Sequence, residues 1–189
     1  MLVLCAWGCT SKETNKGDDY FDGGEYQKAV TEYSAFLRND PDHLKTLYNR
    51  GRAFEELGQF DLAIKDFEEI IRVDPNYINA YLSLAKLSYN VENFSKVLIY
   101  ANQALKLNSG SAQANFLAAR GAHQLGYFNE ALESYNHAIT VNKNFGEAYL
   151  YRGALKISME KVRAACEDFS TAKRLDVPGA QKALTDFCK

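Results

Sequence analysis

Apolar and polar positions follow one another along this chain at helical spacing, and the pattern repeats. Small side chains return every 34 positions, at Ala29, Ala63, Val97, Ala131 and Ala165, without insertion or deletion. Four residues after each lies a second column that is bulky at most steps: Tyr33, Phe67, Ala101, Tyr135 and Phe169. Between these columns apolar residues keep an amphipathic helix period, as in Leu62, Ile64, Phe67, Ile70 and Ile71. A fixed period of this length predicts stacked copies of one supersecondary unit, an all-α solenoid. Each copy breaks twice. One break is a short turn such as Leu57-Gly58-Gln59-Phe60 or Leu125-Gly126-Tyr127-Phe128, where glycine accepts the left-handed conformation that ends a helix. The other falls near Asn39-Asp40-Pro41 and Val73-Asp74-Pro75-Asn76, where proline cannot continue the helix and Asp or Asn can cap the next. Each repeat is therefore predicted to be two antiparallel helices.

The register divides the chain into an apolar leader (1–9), a degenerate first repeat (10–43), repeats at 44–77, 78–111, 112–145 and 146–177, and a final helix at 178–189. In the first repeat the second helix, from Glu25 to Asn39, is convincing, whereas the first contains Lys16-Gly17-Asp18-Asp19 and reads as weak. Val97 and Ala101 exchange the usual small and large partners, which puts close packing of the middle repeat in question. In the last segment Ala180, Ala183, Leu184 and Phe187 form one apolar face, suited to closing the end of an array.

The motif resembles the tetratricopeptide repeat (TPR) family. The copy from Leu44 to Tyr77 carries Gly51, Phe54, Gly58, Ala63, Phe67 and Pro75 on the family's pattern. Later copies match through Gly126, Ala131, Tyr135 and Ala138, and through Tyr149, Gly153, Ala165, Phe169 and Ala172. The resemblance implies a right-handed superhelix of antiparallel helix pairs whose first helices line a concave binding face. On those helices one column is Tyr48, Leu82, Phe116, Leu150, and the next, four residues on, is Arg52, Lys86, Arg120, Ala154. One helical turn separates them, so they form adjacent stripes, one apolar and one cationic. With Asn49, Tyr89, His123 and Tyr151 beside them, they predict a groove for an extended protein or peptide segment bearing acidic groups or a free C-terminal carboxylate. Solvated helix faces and a self-association contact are the alternatives for these stripes. The family's pocket for chaperone tails uses Lys and Asn, then Asn, then Lys and Arg. Here Asn49 fits the middle element, but Thr14, Asp18, Asn79 and Ser83 stand at the others, so that activity is not predicted.

Composition narrows the remaining classes. A formal net charge of −2 over 189 residues lacks the basic excess of general nucleic-acid binders. His43, His123 and His137 have no metal-ligand spacing, no glycine-rich phosphate loop occurs, and Glu55-Glu56 and Glu68-Glu69 read as solvated helix faces. No catalytic residue, cofactor or metal is predicted. The leader Met1-Leu2-Val3-Leu4-Cys5-Ala6-Trp7-Gly8-Cys9 resembles the end of a bacterial lipoprotein signal, with Cys9 lipidated. That reading places the protein on the cell envelope, anchored by lipid alone and facing the periplasm or outside; an unprocessed apolar N-terminus would leave it cytoplasmic. Cys166 and Cys188 lie equally far from a turn at Val177 and face one another there, either as a disulfide or as two buried thiols. The combined expectation is a membrane-anchored adaptor, the alternative being a structural subunit of an envelope complex or homo-oligomer.

Overall fold

The computed structural model describes residues 10–188, with side chains from Lys16 onward. The leader, with Cys5 and the predicted lipidation at Cys9, lies outside the described residues. Within them the chain forms eleven α-helices and no strand: α1 (Thr10–Asp22), α2 (Tyr26–Leu37), α3 (Leu44–Glu56), α4 (Phe60–Val73), α5 (Ile78–Asn90), α6 (Phe94–Leu107), α7 (Ala112–Gln124), α8 (Phe128–Val141), α9 (Gly146–Ser158), α10 (Val162–Arg174) and α11 (Ala180–Phe187). The fold is an all-α solenoid of TPR type. Odd and even helices of each pair are joined by the three-residue turns 23–25, 57–59, 91–93, 125–127 and 159–161, which force the pair antiparallel.

Those turns share one backbone device. Gly24, Gly58 and Gly126 have φ of 74°, 70° and 79°, and Glu92 and Glu160 hold the same left-handed position at 57° and 59°. A residue with a Cβ is strained there by roughly 1–2 kcal/mol, so the repeat geometry is imposed by packing even where glycine is missing. The longer turns between pairs use another. Asp74, Asn108 and Asn142 each accept a hydrogen bond from the backbone N–H two residues on, at 2.9, 3.0 and 3.0 Å. Such Asx turns reverse the chain without requiring proline. Ser111 and Asn93 then cap α7 and α6 by accepting from Ala114 N–H and Lys96 N–H.

Two compact units can be distinguished, one ending at Ala80 and the other beginning at Tyr81. In the first unit, α1 packs on α2, α2 on α3 and α3 on α4. Its core holds Ala29, Tyr33, Leu37, Leu47, Ala53, Ala63, Phe67 and Ile70, all buried. The expectation of a weak first helix is corrected here. Gly17, unfavourable by propensity, is what Tyr33 needs, since a Cβ at that position would sit 2.5 Å from the Tyr33 ring. Asp18 is also tied down by three side-chain donors.

In the second unit, α6 packs on α7, α7 on α8, α8 on α9, α9 on α10 and α10 on α11. One core cluster joins Ala85, Ala101, Leu117 and Ala118; another joins Phe116, Ala119, Ala131, Tyr135, Ala138, Ala148 and Leu155. The exchanged pair is absorbed cleanly. Val97 and Ala101 are both fully buried, and Gly121 on α7 receives the larger valine. Cys166 of α10 and Cys188, after α11, have Cα atoms 5.8 Å apart and their sulfurs are bonded, while Phe169 and Phe187 lie ring to ring at 6.2 Å.

Candidate functional site

Arg120 is the centre of the most concentrated group of predicted binding residues, and all of its partners belong to the second unit. Arg120 sits on the last full turn of α7, and its guanidinium carbon is 3.6 Å from the ring centroid of Tyr89 on α5. The same carbon is 4.6 Å from the Tyr151 ring on α9 and 5.7 Å from Phe116, one turn earlier on α7. The cation is thus held by aromatic faces from three first helices, an arrangement that fixes the plane of the guanidinium. Gln124 fixes one wall by donating to the Tyr89 hydroxyl at 3.1 Å.

Phe116 anchors the floor. It is 6% exposed and touches Phe145 at 4.8 Å, Tyr151 at 5.7 Å and Tyr135 at 6.1 Å, centroid to centroid. The periodicity placed it on the right face, but its depth makes it a support for Arg120 and Tyr151 and removes it as a free contact. Tyr135 belongs to the packing column, yet its hydroxyl is buried without a hydrogen-bond partner, as is Nε of Arg120. Burial drives the Tyr135 phenol far above the ordinary tyrosine range, and the Arg120 charge acts against that shift. His123, one turn after Arg120, stacks edge-on to Phe128 at 5.9 Å. Burial lowers its pKa below the ordinary histidine value, so at neutral pH it adds a hydrogen-bonding ring and no charge. Leu82 packs half-buried on the cluster around Ala85, Lys86 is exposed, and Leu150 and Ala154 are half-buried on α9.

The predicted residues of the first unit form a separate group. Tyr48 packs between Phe67 and Tyr77, at 5.6 and 5.7 Å. Asn49 is committed internally: its amide donates to Asp18 at 2.8 Å, beside donations from Tyr33 at 2.8 Å and Lys45 at 2.8 Å. Burial pulls the Asp18 carboxyl up, but the Lys45, Tyr33 and Asn49 hydrogen bonds outweigh it and hold the carboxyl below the usual range. Arg52 is exposed and lies over the Phe21 ring at 4.9 Å.

Two arginines outside the predicted stripes are fully spent on structure. Arg50 grips the buried Asp66 with two hydrogen bonds of 2.8 and 2.6 Å, and Arg152 grips Asp168 with two of 2.9 and 2.6 Å. Lys156 adds a third contact to Asp168 at 2.7 Å. Both arginines precede their aspartates by 16 residues, a spacing present in the sequence but outside the columns that run through positions 48 and 52. Among the described residues no such carboxylate reaches Arg120. Nor is any group of three or more His, Cys, Asp and Glu placed to hold a metal ion, and no helix is long and apolar enough to cross a membrane.

Known proteins share this architecture. Residues 14–78 and 112–145 each match a family model described as tetratricopeptide repeat. Among solved structures, a crystal structure of MamA is 22% identical with a TM-score of 0.79, covering 91% of this chain and 94% of that one. MamA from Desulfovibrio magneticus RS-1, residues 41 to the end, is 17% identical with a TM-score of 0.83, covering 90% and 97%. YrrB, described as a TPR protein with an unusual peptide-binding site, is 19% identical with a TM-score of 0.76, covering 94% and 91%. At these identities the likeness is one of fold. A search of curated proteins finds no significant match.

Proposed function

The chain belongs to the tetratricopeptide repeat family, a protein-interaction scaffold, and from that premise we propose that it is a non-catalytic adaptor holding an extended peptide or protein segment. The segment lies on the face made by the first helices of the second unit, α5, α7 and α9. One observation carries this reading: Arg120 is presented between Tyr89 and Tyr151 with no carboxylate of the described residues upon it. Aromatic walls that exclude water supply affinity, and the oriented cation supplies direction and on-rate. Exposed Lys86 on α5 extends the same sign of charge along the face. Arg52 over Phe21 offers a comparable cation in the first unit.

The adaptor reading includes attachment to the cell envelope through a lipid on Cys9, supported by the Gly8-Cys9 junction and the polar run Thr10-Ser11-Lys12-Glu13 that follows it. Metabolic labelling with a fatty acid tests that part, with Cys9→Ala expected to abolish incorporation. A structural role in a larger assembly is the second reading, favoured by exposed Ile99, Val141 and Val162 on second helices, at 57%, 51% and 47% exposure.

In-cell crosslinking decides between the two. A partner recovered with the wild-type chain and lost with Arg120→Glu, at unchanged helical content, supports the adaptor. The same partners from both forms, or self-crosslinks alone, overturn it in favour of assembly.

A further inference from the structure

Resting on the adaptor reading, we infer that Arg120 is a carboxylate anchor, taking an acidic group of the bound segment end-on across its two terminal nitrogens. The geometry of the guanidinium selects that approach. Nε is buried and has no partner, so the side-on edge is closed to a ligand from solvent. Tyr89 at 3.6 Å and Tyr151 at 4.6 Å cover the flat faces, which leaves the terminal edge.

The comparison with Arg50 and Arg152 makes the point chemically. Each of those spends Nε and one terminal nitrogen on a buried aspartate of its own chain. Arg120 has an equally organised guanidinium, and its cage supplies only ring faces. Stacking orients a cation without satisfying its N–H donors, and unspent donors in a partly dry site favour an incoming acceptor. A second orphan lies at the base of the same cluster, the fully buried Tyr135 hydroxyl behind Phe116. Neutral His123 adds no competing charge. A carboxylate matches the planar fork in shape, and one guanidinium balances its single charge.

The carboxylate could belong to an Asp or Glu side chain or to a chain terminus, and the test separates the two. Octapeptides selected from a random display library on the purified full chain are resynthesised with the terminus free or amidated, and with internal Asp and Glu or with Asn and Gln. Affinities are measured by calorimetry for the wild type, Arg120→Gln and Arg120→Lys, with exposed Arg163→Gln as a control for net charge. Removing the recognised carboxylate should weaken wild-type binding about tenfold or more, as loss of a charge-assisted bond implies. The same removal should change little in Arg120→Gln, and Arg120→Lys should recover only part, for want of the fork. The Arg120 Nε–H resonance should move on addition of the acidic peptide and stay still with the neutral one. Peptides that bind equally with and without carboxylates, or that lose affinity equally in wild type and Arg120→Gln, overturn the anchor and leave the adaptor standing. A library that yields no binder overturns the anchor for short peptides, and the crosslinking comparison then decides the adaptor by itself.

Discussion

A methyl group on Gly153 would lie 2.5 Å from Cε1 of Phe169, well inside contact distance. Gly51 has the same relationship to Phe67, at 2.9 Å. Where the opposing side chain is Tyr135, the equivalent first-helix position is Ala119, and where it is Ala101 the position is Ala85, both within the same buried clusters. First and second helices of a pair therefore meet through a small residue opposed to the residue 16 positions later, and the aromatic fills the space that glycine leaves.

Gly153→Ala should accordingly destabilise the protein although it raises helix propensity. The propensity gain is worth up to about 1 kcal/mol, while overpacking against a ring fully enclosed in the core costs about 1–3 kcal/mol. The net expectation is a lower urea midpoint at unchanged slope, followed by circular dichroism. An unchanged or higher midpoint would show that Phe169 moves aside without cost.

Acid should loosen the first unit through Asp18. Its folded pKa is depressed, because the hydrogen bonds from Lys45, Tyr33 and Asn49 favour the carboxylate more than burial disfavours it. A depressed carboxylate contributes stability that is complete above the unfolded value, 3.8 for a free aspartate, and is lost as pH falls through the lower folded value. Wild type should thus be more stable than Asp18→Asn near pH 7, with the gap closing below about pH 4. Denaturant midpoints of the two proteins across that range provide the check, and parallel curves would contradict it.

Much of the fold was legible because the close-packed positions recur without slippage. Ala29, Ala63, Val97, Ala131 and Ala165 are all fully buried. What periodicity could not supply was depth. Tyr48 and Phe116 share a column, yet Phe116 is sunk beneath Phe145, from the turn before α9, and Tyr151, from α9 itself. Arg120 was legible as one of a cationic stripe, whereas its cage depends on Tyr89 and Tyr151 arriving from two other helices. Asn49 illustrates the opposite failure. Its type suits ligand binding, but Asp18, 31 residues earlier, consumes its amide. Pairings at that separation leave no trace in a helical period.

The Cys166–Cys188 bridge should fasten the C-terminal helix. Cross-linking positions 22 apart constrains the unfolded chain by about 3 kcal/mol on a loop-entropy model. Reduction, or Cys188→Ser, should therefore lower stability and expose α11 to protease before the other helices are cut. Such bonds are characteristic of oxidising compartments and rare in reducing ones, so mass analysis of protein taken from its native cells, without reductant, reads the pairing and bears on the location. Two free thiols at those positions would remove both conclusions.

Val97 and Gly121 provide the sharpest test of how the irregular middle repeat keeps its packing. Val97 occupies a column position that is alanine in the other four repeats, and it is fully buried. A Cβ on Gly121 would come within 3.0 Å of Val97 Cγ1 and 3.4 Å of Leu98 Cδ2, so the absent methyl of one residue accommodates the extra methyls of the other. Gly121→Ala alone should overpack this junction and lower stability by about 1–3 kcal/mol. Val97→Ala alone should leave a small void and cost about 1 kcal/mol or more. Together the two changes reproduce the Ala29 and Ala53 combination at the corresponding positions of the first unit, so the double variant should be more stable than the sum of the single losses allows. A coupling of about 0.5 kcal/mol or more, in the direction of rescue, is expected from residues in direct contact. Strict additivity in that cycle would mean that Gly121 is small for a reason unrelated to Val97.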